Sequence, residues 1–151
     1  MLLDEHNRML WLHVQDDIGR GGMTQFWCVP GGGLRANETF KAALHREVYE
    51  ELGLVLDEDQ TYEHIATDQR SVILGGKPVN EDSRFYLIRV ENPLLRFENP
   101  DLAELETFLG HRWWSLDEIK ASSELFLPKD IVEVFGEIAR GRWDGKVRQI
   151  G

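Results

Sequence analysis

The chain has one cysteine, five prolines and no apolar run near the about 18 residues that a membrane span requires. Cys28 has no partner for an internal disulfide, which fits a reducing cytoplasm. It stands in the apolar stretch Phe26-Trp27-Cys28-Val29, where a small packed side chain is expected rather than a nucleophile. Positive charge is scarce as well: 17 Lys and Arg stand against 27 Asp and Glu, a formal net charge of −10. Affinity for nucleic acid polymers comes largely from cations that neutralise phosphates, so no polymer partner is expected. A small phosphorylated ligand is not excluded, because bound metal ions or a few local cations can invert the field inside one cleft. The opening Met1-Leu2-Leu3-Asp4-Glu5 lacks the basic flank and long apolar stretch of a secretory signal, and a cytoplasmic protein is expected. The rest of the composition is that of a globular protein, 42% apolar and 29% charged, and 151 residues suffice for a single domain over 1–151.

Neither repeats nor low-complexity stretches interrupt the chain. Met1-Leu2-Leu3 resembles the tail of a strand, followed by a turn at Asp4–Asn7. Arg8–Val14 and Gln25–Val29 read as strands separated by a polar loop that holds Gly19, Gly21 and Gly22. From Glu38 to Leu52 there is no Gly or Pro and much Ala, Leu, Glu and Arg, which predicts a helix, with Gly53 placed to end it. Two strands are expected near Tyr62–Thr67 and Ser71–Leu74, then a loop from Gly75-Gly76 through Pro78 to Asp82. Arg84–Val90 has the β-branched and aromatic content of a strand. After a loop over Glu91–Asp101, Arg112-Trp113-Trp114 reads as a short strand, Ser115 as the cap of a helix through Lys120, and Pro128–Ile138 as a last helix. Strands interleaved with helices imply an α/β or α+β sandwich.

The predicted central helix carries Glu47, Glu50 and Glu51 at positions i, i+3 and i+4, on one face. Like charges at that spacing repel by a few tenths of a kcal/mol per pair (roughly) in an isolated helix, and Arg46 offsets only part of this. Mg2+ would relieve the rest, since it takes a few carboxylate oxygens and retains waters and substrate phosphates. Taken alone, such a cluster is more often a solvated acidic face.

The surrounding pattern changes that reading. Gly32 is followed after five residues by Glu38, and after seven more by Arg46-Glu47-Val48-Tyr49-Glu50-Glu51-Leu52-Gly53-Leu54. This run resembles the Nudix box, Gly-x5-Glu-x7-Arg-Glu-U-x-Glu-Glu-x-Gly-U with U aliphatic, at all nine fixed positions. A chance match in a chain of this size has odds on the order of one in ten million. Trp27 to Leu34 is similar to the tryptophan-then-PGGGL entry of that family, Arg84-Phe85-Tyr86-Leu87 to its central strand, and His111–Glu118 to its late Arg-Trp strand and helix. Those three stretches are less specific than the box.

The resemblance implies a Nudix-type α/β/α sandwich with a mixed sheet between helices. It also implies a hydrolase that cleaves a diphosphate linkage in a nucleoside diphosphate-X compound by attack of metal-activated water on phosphorus. Carried over by position, Glu47, Glu50 and Glu51 would hold Mg2+ (or Mn2+) with help from the Gly31 carbonyl. Arg46 would orient the glutamates, and Glu38 would be a structural partner. The general base is left open among Glu47, Glu50 and a glutamate outside the box, for which Glu104 and Glu106 are candidates. The expected partner is a small phosphorylated substrate, with a homodimer left open and no membrane.

The chain also departs from the family. Arg35 and Asn37 stand where glutamate and glycine are common, although Asn tolerates the left-handed conformation that such a turn needs. His13 stands where many members carry an arginine, which leaves the grip on substrate phosphate to His13 itself or to Arg20, Arg70 or Arg84. Residues Asp68, Gln69, Arg70 and Ser71 lack the proline or tyrosine of the ADP-ribose and dinucleoside polyphosphate subfamilies, which favours a nucleoside triphosphate or another small nucleotide. Two other readings compete: a nucleotide-sensing Nudix domain without turnover, and an isomerase of the isopentenyl diphosphate type. The former usually lacks box residues that are all present here, and the latter needs a reactive cysteine that Cys28 matches poorly.

Overall fold

The computed structural model describes residues 1–18, 22–74, 77–97 and 108–151, with the side chains of 71–81 left aside. In chain order the elements are β1 (Leu2–Leu3), β2 (Met9–Asp16), β3 (Thr24–Cys28), α1 (Phe40–Leu52), β4 (Glu63–Leu74), β5 (Lys77–Arg89), β6 (Phe108–Trp114), α2 (Leu116–Ala121), β7 (Phe126–Leu127), α3 (Lys129–Ala139) and β8 (Arg148–Ile150).

The strands form a mixed sheet in the order β7-β3-β2-β1-β5-β4-β8, with β6 also paired to β2. β1 joins its halves, antiparallel to β2 through Leu3 and Met9 and parallel to β5 through Leu2–Ile88 and Leu3–Arg89. Alternation along the strands splits the apolar residues between two faces. Leu3, Met9, Trp11, Leu87 and Trp114 belong to one cluster with Ile131, Val134, Phe135 and Ile138 of α3. Leu2, Leu10, Leu12 and Ile88 belong to the other, with Val48 and Leu52 of α1. The sheet therefore lies between α1 and α3, an α/β/α sandwich.

Two expectations for the middle of the chain need correction. β4 is one strand of 12 residues, not two. Gly75 and Gly76 lie outside the described residues, but Pro78 to Asp82, expected in the same loop, belong to β5, which pairs with β4 continuously from Leu74↔Lys77 to Thr67↔Arg84. The polar run Asn80-Glu81-Asp82-Ser83 looks like a loop by composition, but ladder hydrogen bonds need only backbone. Pro78 is tolerated because β1 pairs with β5 far away, at Ile88 and Arg89, so no ladder on that side needs its missing N–H. β2 also runs on to Asp16, two residues into the expected loop, paired there with Thr24.

The helix ends follow local chemistry. Ser115 and Glu118 form a reciprocal capping box at the start of α2, with the Ser115 amide 2.8 Å from the Glu118 carboxylate. Gly53 ends α1 at φ +66°, and its N–H donates to the Tyr49 carbonyl (2.9 Å). An added Cβ there would lie 2.7 Å from Arg96 Cβ, so glycine is demanded by both conformation and space.

Candidate active site

The chain leaves β3 through Pro30-Gly31-Gly32-Gly33 and enters α1 at Phe40. The helix begins two residues later than expected because Thr39 caps it: the Thr39 hydroxyl accepts the Ala42 N–H at 3.2 Å. Asn37 takes φ +63°, the left-handed turn that its short amide side chain tolerates. Glu38 is thereby left just outside the helix, facing back toward it.

Arg46 is the hub. Its Nε and Nη2 each donate to a Glu38 oxygen at 2.8 Å, and Nη2 also reaches the Gly33 carbonyl at 2.9 Å. Nη1 donates to Glu47 Oε1 at 2.5 Å and to Glu50 Oε2 at 3.0 Å. One guanidinium thus fastens the loop to the helix and sets two of its carboxylates. The Arg46 bonds, joined by the Arg35 backbone N–H, hold the Glu38 carboxyl down at about 2, well below its ordinary value. The same carboxylates, Glu38 foremost, keep the guanidinium firmly protonated.

Glu51 has a different environment. Its Oε2 accepts the Gly31 N–H at 2.7 Å. Burial pushes its carboxyl up to about 7 against that hydrogen bond, and the charges of Glu47 and Glu50 push in the same direction as burial. Gly32 lies directly over Glu47: a Cβ on it would come within 2.5 Å of Glu47 Oε1. The glycine run is therefore a close approach of backbone to carboxylate as well as a turn.

The three glutamates crowd the C-terminal end of α1, where the helix dipole disfavours negative charge. Excess negative charge on oxygen donors alone suits a hard divalent cation. In the arrangement seen, however, no group of three His, Cys, Asp or Glu among the described residues is gathered as a metal site. Glu47 and Glu50 turn toward arginine and Glu51 toward the Gly31 amide, so the donor set fits such a cation once these side chains rotate toward one another. Gly31 is engaged here through its N–H rather than the expected carbonyl.

The remaining sequence candidates fall elsewhere. His13 stacks on Trp27 (4.5 Å between centroids, 13° between planes), and Trp27 belongs to the cluster beneath α3, on the sheet face opposite α1. Arg70 pairs with the buried Asp68. Arg84 lies over the Phe40 ring at 4.0 Å, at the start of α1. Arg20, Glu104 and Glu106 lie outside the described residues. Cys28 packs in the cluster beneath α1, and burial, with a further push from Glu51, raises its thiol to about 12. Sequence reading missed the contact of Arg35, whose Nη2 donates to Glu50 Oε1 at 2.9 Å. Its departure from the family pattern was the available signal.

A family model described as NUDIX domain matches residues 1–135. The chain is 29% identical over 123 residues to an RNA pyrophosphohydrolase from Saccharophagus degradans, covering 76% of this chain and 69% of that one. Among solved structures it resembles a MutT protein from Methanosarcina mazei Go1 (TM-score 0.58, 21% identity, 93% of this chain and 89% of that one). It also resembles the NUDIX domain of Shewanella oneidensis NrtR complexed with ADP ribose (TM-score 0.62, 15% identity, 91% and 82%). At such identities these structures bear on the fold, and they agree with the sandwich described above. With the family model spanning most of the chain, including the whole loop–helix site, the chain belongs to the Nudix family.

Proposed function

We propose that the chain, folded as a single cytoplasmic Nudix domain, hydrolyses a diphosphate linkage in a nucleoside diphosphate-X compound, most readily a nucleoside triphosphate or related small nucleotide, with Mg2+ or Mn2+. The observation that carries this reading is the convergence of Glu47, Glu50 and Glu51 with Arg46 and the Gly31–Gly33 backbone at one end of α1. Glu47, Glu50, Glu51 and the Gly31 carbonyl are the metal donors. A divalent ion held there would neutralise charge on the diphosphate and lower the pKa of an attacking water. Arg46 keeps Glu47 and Glu50 on one side of the helix and ties the loop across them. Glu47, Glu50 or a glutamate outside the box would take the proton of the water.

The name of the Saccharophagus degradans relative makes RNA the second substrate class to try. The net charge of −10 opposes binding of a long polyanion and favours the small nucleotide. The test is a panel of nucleoside triphosphates, nucleotide sugars, dinucleoside polyphosphates and a short RNA bearing a 5′ triphosphate, assayed with Mg2+ and with Mn2+. Glu50→Gln is expected to lower turnover by about a hundredfold or more. Undiminished product release in that variant would overturn the assigned site, and tight nucleotide binding without hydrolysis would mark a sensor domain.

A further inference from the structure

Both oxygens of Glu50 are held by guanidinium groups, Oε2 by Arg46 (3.0 Å) and Oε1 by Arg35 (2.9 Å). The two arginines are not equivalent. The Arg46 side chain is 14% exposed and is fixed by Glu38, Glu47 and the Gly33 carbonyl besides. The Arg35 side chain is 59% exposed, and among the described residues Glu50 is its ion-pair partner. Its backbone, by contrast, is pinned: the Arg35 N–H donates to Glu38 Oε2 at 2.8 Å. Arg35 is thus a fixed post at the rim of the site carrying a long cationic arm that can swing.

A carboxylate oxygen facing a divalent cation is a poor partner for a guanidinium, because the two positive charges repel at that distance. A phosphate oxygen is a good one, since a guanidinium fork fits carboxylate and phosphate alike. Of the other cations weighed for the phosphate grip, those among the described residues have partners elsewhere: His13 on Trp27, Arg70 on Asp68 and Arg84 on Phe40. We propose that Arg35 is a substrate-positioning residue that exchanges Glu50 for a phosphate oxygen of the diphosphate when metal and substrate enter. No covalent bond or proton moves in this step; one ion pair replaces another. The proposal rests on the reading of the site given above.

The exchange makes two linked demands on the full-length Arg35→Gln variant, neither of which depends on turnover. In the absence of nucleotide, Mn2+ followed by electron paramagnetic resonance is expected to bind about fivefold more tightly, because a competitor for Glu50 is gone. With saturating Mn2+, a methylene-bridged nucleoside triphosphate analogue followed by titration calorimetry is expected to bind about tenfold more weakly, with Arg35→Lys in between. The exchange stands if both shifts occur together. Unchanged Mn2+ affinity, weaker Mn2+ affinity or unchanged analogue affinity each overturns it, weaker Mn2+ binding because it would mark Arg35 as a prop for the glutamates. The substrate panel separates the two levels: wild-type hydrolysis abolished by Glu50→Gln keeps the site while an unaltered Arg35→Gln sinks the exchange alone, and a wild type inert toward every compound sinks the site.

Discussion

Arg46 and Glu38 meet through two parallel hydrogen bonds of 2.8 Å, joining a residue of the helix to one that precedes it by eight positions. Paired forks of this kind are geometrically demanding, so the pair fixes the angle at which the loop enters α1. The same guanidinium then has its third nitrogen left for Glu47 and Glu50.

The pair makes part of the stability depend on pH. The Glu38 carboxyl falls from an ordinary 4.5 to about 2 on folding, so the folded chain favours its charged form. A depressed carboxyl contributes stability that is fully present above the unfolded value and is lost as pH falls through the folded one. Glu38→Gln is therefore expected to melt below wild type at neutral pH, with the gap narrowing below about 4.5 and vanishing near 2. Parallel thermal melts across that range check it; a gap independent of pH would show that the pair contributes through packing instead.

Gly32→Ala separates the site from the fold. Its Cβ would press on the Glu47 carboxylate, which must rotate away from Arg46, whereas Gly33→Ala meets nothing within 4 Å. Gly32→Ala is expected to lose about tenfold or more in turnover with little change in melting temperature, and Gly33→Ala to behave like wild type. Equal activity in the two variants would contradict the close approach of the loop to Glu47.

Gly53→Ala acts on the fold instead. Left-handed φ costs an alanine about 1 to 2 kcal/mol, and contact with Arg96 adds to it, for a loss of about 2–4 kcal/mol in denaturant titrations. A loss below about 1 kcal/mol would mean that the helix end and Arg96 yield easily.

Cys28 supplies a chemical control. With its thiol at about 12, less than one molecule in a thousand (roughly) is a thiolate at pH 8, so native protein is expected to resist alkylation and to keep its activity. Rapid modification with loss of activity would reopen the isomerase reading.

The sequence exposed the chemistry of the site more readily than its surroundings, for physical reasons. Glu38, Arg46, Glu47, Glu50, Glu51 and Gly53 stand out by their resemblance to the nine-position box, whereas the glutamate cluster taken alone reads as a solvated face, and the structure brings Glu38, Arg46, Glu47 and Glu50 into contact. β7 and β8, with two and three residues, are too short to show any period and exist because β3 and β4 offer parallel edges. The polar run of β5 was misread because its pairing is a matter of backbone, not side chains. Arg70 and Arg84 could be nominated as cations from sequence, but only the fold shows what each one faces. The reach of Arg35 depends on the turn at Asn37 and the bond to Glu38, neither of which a spacing rule contains.

The hydrogen bonds that shape the carboxylate site join residues no more than 20 positions apart, from Gly31 to Glu51, whereas the sheet beneath is tied together by pairings such as Leu2 with Ile88. A module closed on itself in this way can be inherited whole while the strands and loops around it diverge. The ion pairs of the site then stay within one short stretch of chain, whatever the strands beyond it become.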